Sequence, residues 1–376
     1  MLRSIETLSD VRGLRVLLRA SFDVPVKGGE VQDGFRLDDA LPTIAFLAAR
    51  GAKVVLIGHI GRDPMNSMRP VFDYLKKKIQ LSFVEDVIGP RAHDAVRALK
   101  DGEVILLENL RRHPGEKAND PKFARELASL ADIYVDDAFT VAHRLDASVV
   151  GVPLLMPSYA GLRLIKEVTN LTPALTPESP SLAIVGGAKL ETKIVLLRSL
   201  LAKYDQVFVG GALVNDFYVA KGYEVGKSLV SGSNDAKELI SNSKIIIPDT
   251  VVVSNANGHS VKKASEVGKE DMILDIYPSS IDALKPIADK ARTILWNGPM
   301  GNFEGGFAKG TDAVAKLVAS AKGRTIVGGG DTLASIQNLG LMDKFTFVST
   351  AGGAMLDFLA HGTLPGIQAL EASKPL

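Results

Sequence analysis

The feature that most constrains this chain is a series of short, uninterrupted apolar runs, each closing on Gly, Asp, Asn or His. They are "RVLLRASFD", "KVVLIGH", "EVILLEN", "IYVDD", "LAIVGG", "VFVGG", "TILWNG", "TIVGGG" and "FTFVSTAGG". Continuous rather than alternating hydrophobicity is typical of strands covered on both faces, as in parallel sheets. Amphipathic stretches of helical length, such as "PKFARELASLA" and "KIVLLRSLLAKY", lie between them. The pattern predicts an α/β fold with helices on both faces of parallel sheets.

The chain has 376 residues, a length that favours two domains. The best boundary is the proline-rich "LTPALTPESPS" at residues 171–181, where the helical periodicity stops. Apolar runs occur on both sides of it. We therefore expect two doubly wound lobes, one of residues 1–170 and one of residues 171–360.

Composition excludes several classes of protein. The net charge is +1, so no global charge favours nucleic acid or an anionic membrane as a partner. The absence of cysteine excludes disulfides, thiolate nucleophiles and cysteine-ligated metals. No window approaches the ~18 uninterrupted apolar residues of a membrane span. The first 20 residues lack the apolar core of a signal peptide, so we expect a cytoplasmic protein.

Four glycine-rich strand ends occur, all in the second half of the chain. They are Gly186–Gly187, Gly210–Gly211, Gly328–Gly330 and Gly352–Gly353. Glycine between a strand and a helix lets backbone amides approach an anion, although for any one turn tight packing is an equally good explanation. Four at one sheet edge indicate a nucleotide. Neither the Walker A pattern nor G-x-G-x-x-G is present, which disfavours a nicotinamide-dependent oxidoreductase.

Charged residues follow two of these turns. Lys189 and Lys193 are four apart, which predicts that they share one face at the start of a helix, where an anion would offset their repulsion. Asp331 follows Gly330 and has two compatible explanations, a ligand of nucleotide-bound Mg²⁺ or the N-cap of a helix.

Basic residues lie near the strand ends of the first half. They are Arg19, Arg36, His59, Arg62, Arg111 and Arg144. Any one of these arginines has a surface role as its commonest explanation, but several at one sheet edge would bind a small polyanion. Arginines in one lobe and glycine turns with lysines in the other suggest phosphoryl transfer.

Seven motifs occur in an order that resembles the phosphoglycerate kinase family. They are "DGFRLDDALPTI", "GHIGR", "ENLRRHPGE", "DDAFTVAHR", "VGGAKLETKI", "LWNGPMGNFE" and "GGGDT". The resemblance runs from about residue 14 nearly to the end. It implies two Rossmann-like lobes joined by a hinge helix before Pro173, with residues 361–376 packing back on the first lobe. It also implies a glycolytic monomer that moves a phosphoryl group between 1,3-bisphosphoglycerate and MgADP, giving 3-phosphoglycerate and MgATP on lobe closure.

The resemblance also implies roles for individual residues. Phosphoglycerate would be bound by Arg36, His59, Arg62, Arg111 and Arg144, with Ser21 and Asp23 beside them. Lys189 and Lys193 would neutralise the phosphate chain, Asp331 would hold Mg²⁺, and Glu304 would bond the ribose. Other nucleotide contacts would come from Gly210, Gly211, Asn297, Gly328, Gly329, Gly330 and Thr332. Arg36, Lys189, Lys193, Gly330 and Gly353 would act on the transferring phosphoryl group.

Several residues depart from the family pattern. Ser21 and Asp23 stand where Asp and Asn are usual, and we expect the pair to keep phosphoglycerate binding from one face of a strand. Asp136 replaces a usual Asn, and Ala351 replaces a usual Gly, which would strain it at a positive φ. These changes leave a rival hypothesis, a nucleotide-binding relative with weak or no kinase activity.

Overall fold

Each of the nine apolar runs contains a strand, and all nine belong to parallel sheets. The structure, a computed structural model, describes residues 2–376. The chain divides into two units. One runs up to Thr169 and also includes Thr363–Leu376, and the other is Asn170–Gly362. No helix within residues 2–376 is both long enough and apolar enough to cross a membrane.

The first unit is built on a six-stranded parallel sheet in the order β5-β6-β4-β1-β7-β8. The strands of this sheet are β1 (Arg15–Arg19), β4 (Lys53–Ile57), β5 (Ser82–Val84), β6 (Val104–Leu107), β7 (Ile133–Asp136) and β8 (Ser158–Ala160). Two further strands, β2 (Val26–Lys27) and β3 (Glu30–Val31), form a small antiparallel hairpin. The chain leaves β1 towards β4 and later returns to its other side at β7. Arg19 and Asp136 are register partners at this switch of direction.

Helices cover this sheet because their apolar faces complete its core. They are α1 (Phe35–Ala49), α2 (Arg69–Leu75), α3 (Pro90–Ala98), α4 (Pro121–Ala128) and α5 (Leu162–Leu175), the last of which crosses into the second unit. In α4, the Asp120 carboxylate caps the amides of Lys122 and Phe123 at 2.7 and 3.0 Å. The same helix buries Phe123 and Leu127. Leu18 of β1 and Ile44 of α1 lie in one apolar cluster.

The second unit has its own six-stranded parallel sheet, in the order β11-β10-β9-β15-β16-β17. Its members are β9 (Ser181–Val185), β10 (Gln206–Val209), β11 (Ile245–Ile246), β15 (Thr293–Asn297), β16 (Arg324–Gly328) and β17 (Phe347–Ser349); the intervening strands β12 (Thr250–Asn255), β13 (Gly258–Lys263) and β14 (Met272–Ile276) form a separate antiparallel sheet. The parallel sheet has the Rossmann strand order, with its switch point between β9 and β15.

The helices of the second unit lie between or after its strands along the chain. They are α6 (Ile194–Lys203), α7 (Val214–Ala220), α8 (Asp235–Leu239), α9 (Ser279–Asp282), α10 (Lys285–Ala288), α11 (Lys309–Ala319), α12 (Gly330–Asn338) and α13 (Gly353–His361). Trp296 of β15 and Val314 of α11 are fully buried in one apolar cluster of this unit. The predicted class, two doubly wound Rossmann-like α/β units, is confirmed.

Helix α14 (Pro365–Ala372) belongs to the first unit, although it follows the second in the chain. The Gly366 amide donates to Ala142 O at 2.8 Å, and the Arg3 guanidinium donates to Ser373 Oγ at 2.7 Å. The sequence predicted a break in periodicity at residue 171. Instead α5 continues through Pro173 and ends at Leu175, so the first of the three prolines lies inside a helix.

Asp136 places a carboxyl group in the core at the end of β7. It is fully buried, Oδ1 accepts from the Ala138 amide at 2.8 Å, and Oδ2 has no partner within residues 2–376. Burial raises the pKa of Asp136 to about 7, against the opposing effects of the Ala138 amide and Arg19. The folded protein therefore keeps this proton up to neutral pH.

We expect Asp136→Asn to flatten the dependence of stability on pH. Because the pKa is raised from 3.8 in the unfolded chain to about 7 in the folded protein, wild-type stability falls as the pH rises between these values. Such a shift corresponds to about 4 kcal/mol. Urea unfolding from pH 4 to pH 8 measures it, with Asp94→Asn, at an exposed ion pair with Arg97, as the control. Equal slopes in wild type and Asp136→Asn would contradict this account.

Candidate functional site

His59 is the most buried of the predicted binding residues in the first unit. It follows β4, is 2% exposed, and its Nδ1 lies 2.8 Å from Arg19 Nη2. Its Nε2 lies 3.6 Å from Asp23 Oδ2, too far for a hydrogen bond, and has no partner within residues 2–376. Burial lowers the pKa of His59 to about 4, which outweighs the opposing effect of Asp23. The ring is therefore neutral at physiological pH.

Arg111 and Asp23 both form hydrogen bonds with the backbone of Gly61. The Arg111 guanidinium donates to Gly61 O, and the Gly61 amide donates to Asp23 Oδ1 at 2.9 Å. Burial lowers the pKa of Arg111, and the charge of Arg144 adds to this effect. Burial works against ionisation of Asp23 as well, but His59 and the Gly61 amide hold its pKa far below the usual range. The cluster thus holds strong cations beside one carboxylate.

The remaining arginines lie around this cluster at different depths. Arg36, in the first turn of α1, donates to the Asp23 carbonyl at 2.9 Å. Arg144 is half-buried, whereas Arg62 is exposed; neither side chain has a hydrogen-bond or ion-pair partner in the described part of the chain. The Nε of Arg111 is also buried without a partner. Several cationic donors are consequently available to an anion.

The sequence predicted that Ser21 and Asp23 share one face of a strand, but in the structure they do not. Strand β1 ends at Arg19, so both residues lie in the following loop. Ser21 Oγ lies 2.7 Å from Thr140 Oγ1, while Asp23 turns to Gly61 and His59. The prediction failed because it extended the strand into a segment whose backbone is not paired with its neighbours.

A cavity of about 430 Å³ lies at the switch point of the second unit. Among the predicted nucleotide-binding residues, Gly211, Glu304 and Asp331 line it. Its other walls come from Gly187, Ala188, Ala212, Leu229, Met272–Ile276 and Pro299–Phe303. The predicted ribose and metal ligands and the glycine turn after β10 therefore face one space, whose lining is mainly apolar but includes the carboxyl groups of Asp275, Glu304 and Asp331.

Asp331 is not the N-cap of α12, which was one of the two explanations left open. Gly329, at φ 111°, occupies the cap position, and Asp331 is the second residue of the helix. Its carboxylate is half-buried and has no hydrogen-bond partner within residues 2–376. Burial raises the pKa of Asp331, and the nearby charge of Glu304 adds to this. Two like charges beside a cavity make a place where a cation is favourable.

Lys189 and Lys193 do not lie on one helix face, so that prediction is wrong. Helix α6 starts at Ile194, and both lysines precede it in a loop. Lys189 is exposed, whereas Lys193 Nζ donates to Gly186 O at 2.5 Å and to Asn297 Oδ1 at 3.2 Å. Burial lowers the pKa of Lys193 to about 8. The glycines that precede the lysines allow an irregular loop where the spacing alone favoured a helix.

The other predicted residues surround the ends of β15 and β16. Asn297 and Gly328 close these strands, and Thr332 Oγ1 accepts from the Gly298 amide at 3.1 Å. The first amides of α12, from Gly330 onward, have no acceptor within their helix, and the same holds at Gly353 of α13. Gly210 lies outside the cavity lining and donates its amide to Val185 O at 2.9 Å.

Ala351 carries none of the strain that the sequence suggested. Within residues 2–376, Asn119 is the only non-glycine residue with a positive φ. In the turn after β17 the positive φ belongs to Gly352, at 46°. Alanine at position 351 therefore causes no backbone strain. Ala351 is buried, and its amide lies 3.3 Å from Ser349 Oγ.

Sequence reasoning missed the apolar wall of the cavity. Met272–Ile276 is strand β14 of the antiparallel sheet, and Leu229 lies in the loop before α8. Neither segment closes on glycine or carries a cation, so nothing in its pattern pointed to a ligand. Phe303 lies inside the motif "LWNGPMGNFE", and that motif was the one signal that could have located it.

Two doubly wound units, one with several arginines around Gly61 and the other with a cavity at its switch point, define an α/β protein whose chemistry suits anionic small molecules. Comparison with known proteins identifies the family within this class. The phosphoglycerate kinase family model matches residues 5–362. The chain belongs to the phosphoglycerate kinase family.

Individual relatives agree with this assignment. The chain is 45% identical to a phosphoglycerate kinase of Moorella thermoacetica, over 97% of this chain and 98% of the relative. It is 43% identical to one of Leptospira biflexa, over 96% of each. The solved phosphoglycerate kinase structure from Coxiella burnetii superposes with a TM-score of 0.88 at 36% identity and covers all of both chains.

We expect Gly211→Ala to damage the cavity more than its backbone angle alone predicts. Gly211 has φ 66°, and an added Cβ would overlap the Gly187 nitrogen and the Pro299 oxygen. Gly222, with φ 81° and open space around it, is the matched control for strain without overlap. Gly222→Ala should cost about 1 kcal/mol of unfolding free energy. Gly211→Ala should cost more and also weaken ADP binding by calorimetry; equal effects of the two variants would refute the overlap.

Proposed function

We propose that this chain catalyses reversible phosphoryl transfer from the acyl phosphate of 1,3-bisphosphoglycerate to MgADP, and that its two units each bind one of these substrates. The acyl C–O–P linkage breaks at phosphorus, the β-phosphate oxygen of ADP forms the new bond, and 3-phosphoglycerate leaves as a carboxylate. The reaction needs no covalent enzyme intermediate. Membership of the phosphoglycerate kinase family supports the reaction and the use of a nucleotide substrate.

The first unit is the one proposed to bind phosphoglycerate. The observation that carries this is the set of unused donors around Gly61: His59 Nε2 and Arg111 Nε are buried without partners, and Arg62 and Arg144 are unpaired within residues 2–376. Guanidinium groups donate in pairs to phosphate and carboxylate oxygens, and both groups occur on phosphoglycerate. An anion there would stabilise cations that now repel one another.

The second unit is proposed to bind the nucleotide. Its cavity of about 430 Å³ is large enough for a base and ribose against the apolar wall, with Glu304 as an acceptor for ribose hydroxyls. The amides at the start of α12 and α13 face no helical acceptor and suit phosphate oxygens. Lys193, beside Gly186 and Asn297, supplies a positive charge at the same switch point.

A magnesium ion bound with the nucleotide fits the residues present. The Asp331 carboxylate lines the cavity, has unused lone pairs, and carries a pKa raised by burial and by Glu304. A divalent cation would relieve that repulsion. Mg²⁺ usually takes one or two carboxylates together with phosphate oxygens. When bound, it would neutralise charge on the phosphates; holding it is the role proposed for Asp331.

Transfer would then depend on position and charge. Negative charge in the transition state spreads over the oxygens of the moving phosphoryl group, so cations and amides fixed beforehand lower the barrier. Arg36, Lys189, Lys193 and the amides of Gly330 and Gly353 are the groups proposed for this task. The rival hypotheses, a relative without kinase activity and an oxidoreductase, are not favoured by the comparisons.

A crossed substitution experiment tests the assignment of one substrate to each unit. We expect Arg111→Met to raise KM for 3-phosphoglycerate at least tenfold and to leave KM for MgATP within about twofold, because a lost charged contact costs about 1.5–3 kcal/mol. Asp331→Asn should do the reverse and raise the Mg²⁺ requirement. Steady-state kinetics in both directions supply the measurement.

Arg97→Met, at an exposed ion pair with Asp94 on α3, is the matched control and should change neither constant. If Arg111→Met and Asp331→Asn raise the same KM, the assignment of one substrate to each unit is wrong. If the wild-type protein makes no ATP from 1,3-bisphosphoglycerate and MgADP, the proposed reaction is wrong.

A further inference from the structure

A continuous buried chain of polar groups leads to His59 from the side away from the unused donors. Ser148 Oγ donates to Glu116 Oε1 at 2.6 Å, and Arg19 Nε donates to Ser148 Oγ at 3.1 Å. Arg19 Nη2 then lies 2.8 Å from His59 Nδ1. None of these four residues is more than 2% exposed. These four side chains are therefore shielded from bulk solvent.

Chemistry fixes the direction of every bond in the chain. A guanidinium has only N–H donors, so the Nδ1 atom of His59 must accept and carries no proton. Both Glu116 oxygens accept, Oε1 from the Ser148 hydroxyl and Oε2 from the Ser148 amide at 3.0 Å, which is the pattern of an ionised carboxylate. With both ends fixed, the neutral ring of His59 holds its single proton on Nε2.

The same chain of polar groups brings the positive charge of Arg19 near the negative charge of Glu116. Arg19 is fully buried, and its guanidinium donates to Ser148 Oγ, to Ala20 O at 2.6 Å and to His59 Nδ1 rather than to a carboxylate. Glu116, one hydroxyl away, is the acidic group of this polar network, whereas Asp136, the register partner of Arg19, keeps its proton up to neutral pH. Burial raises the pKa of Glu116, and Arg19 opposes that effect. A buried cation and a buried anion therefore stabilise one another through Ser148.

We infer that Arg19, Ser148 and Glu116 are positioning residues that fix His59 as its neutral Nε2–H tautomer, so that the ring offers the anionic substrate one N–H donor and no positive charge. This inference rests on the proposed function. His59 Nε2 is the end of this polar network that has no hydrogen-bond partner within residues 2–376, and Asp23 Oδ2 lies 3.6 Å from it. The neighbouring arginines supply the positive charge for the anionic substrate, and His59 supplies one N–H donor in a fixed orientation.

The tautomer can be measured directly in the protein without substrate. Histidine labelled with ¹⁵N reports, through two-bond proton correlations, which ring nitrogen carries the proton, and His59→Asn assigns the signal among six histidines. At pH 7 we expect an unprotonated Nδ1 and a protonated Nε2. A proton on Nδ1, or on both nitrogens, would overturn the inference whatever the enzyme activity proves to be.

Ser148→Ala removes the link between Glu116 and Arg19. We expect a mixture of His59 tautomers and a KM for 3-phosphoglycerate about fivefold higher, with kcat within about twofold, as for the loss of one hydrogen bond. Ser158→Ala is the matched control. Ser158 is equally buried in the same unit, but its hydroxyl donates to Met156 O at 2.9 Å, away from His59.

A double variant, Arg19→Met with Glu116→Gln, removes both charges together and so leaves no buried ion unpaired. It should abolish the single tautomer and raise the same KM. If Ser148→Ala and the double variant both keep the wild-type tautomer and KM, the positioning role is wrong. If the wild-type protein shows the Nε2–H tautomer but does not bind 3-phosphoglycerate, the assignment of the tautomer stands and the proposed function is wrong.

Discussion

Parallel strand pairing is the constraint on which both candidate sites depend. Within each unit all six strands of the main sheet run in one direction, so their carboxyl ends meet at one edge. In the first unit that edge brings Arg19 level with Asp136 and close to His59. In the second, the ends of β9 and β15 bring Gly186 within reach of Lys193 and Asn297. Residues far apart in the chain become neighbours without any specific sequence signal joining them.

Burial of charge then gives each edge its chemistry. In the first unit, desolvation makes His59 neutral while Arg111 remains cationic, so donors of different character surround Gly61. In the second, burial lowers the pKa of Lys193 and raises that of Asp331. The shifts at Arg111, Lys193 and Asp331 are free-energy costs of burying charge that a ligand of the opposite charge would reduce.

The sequence predicted the parts of the fold that follow from local pattern. Nine strands were found because continuous apolar runs ended on turn residues, and Gly329 and Gly352 were located as turns. The antiparallel sheet of β12–β14 was missed, since β13 is almost wholly exposed and shows no such run. Lys193 was placed on a helix because spacing ignores the loop that two glycines permit. The polar groups from Glu116 to His59 come from four separate segments of the sequence, so only the folded structure reveals that they are connected.

The central claim is that the two units bind different substrates. Amide chemical shifts during separate titrations of the ¹⁵N-labelled protein with 3-phosphoglycerate and with MgADP test this claim most directly. We expect 3-phosphoglycerate to move the amides of His59, Gly61 and Arg111, and MgADP to move those of Gly187, Gly211 and Gly330. The reverse pattern, or both ligands moving the same set of amides, would contradict the account.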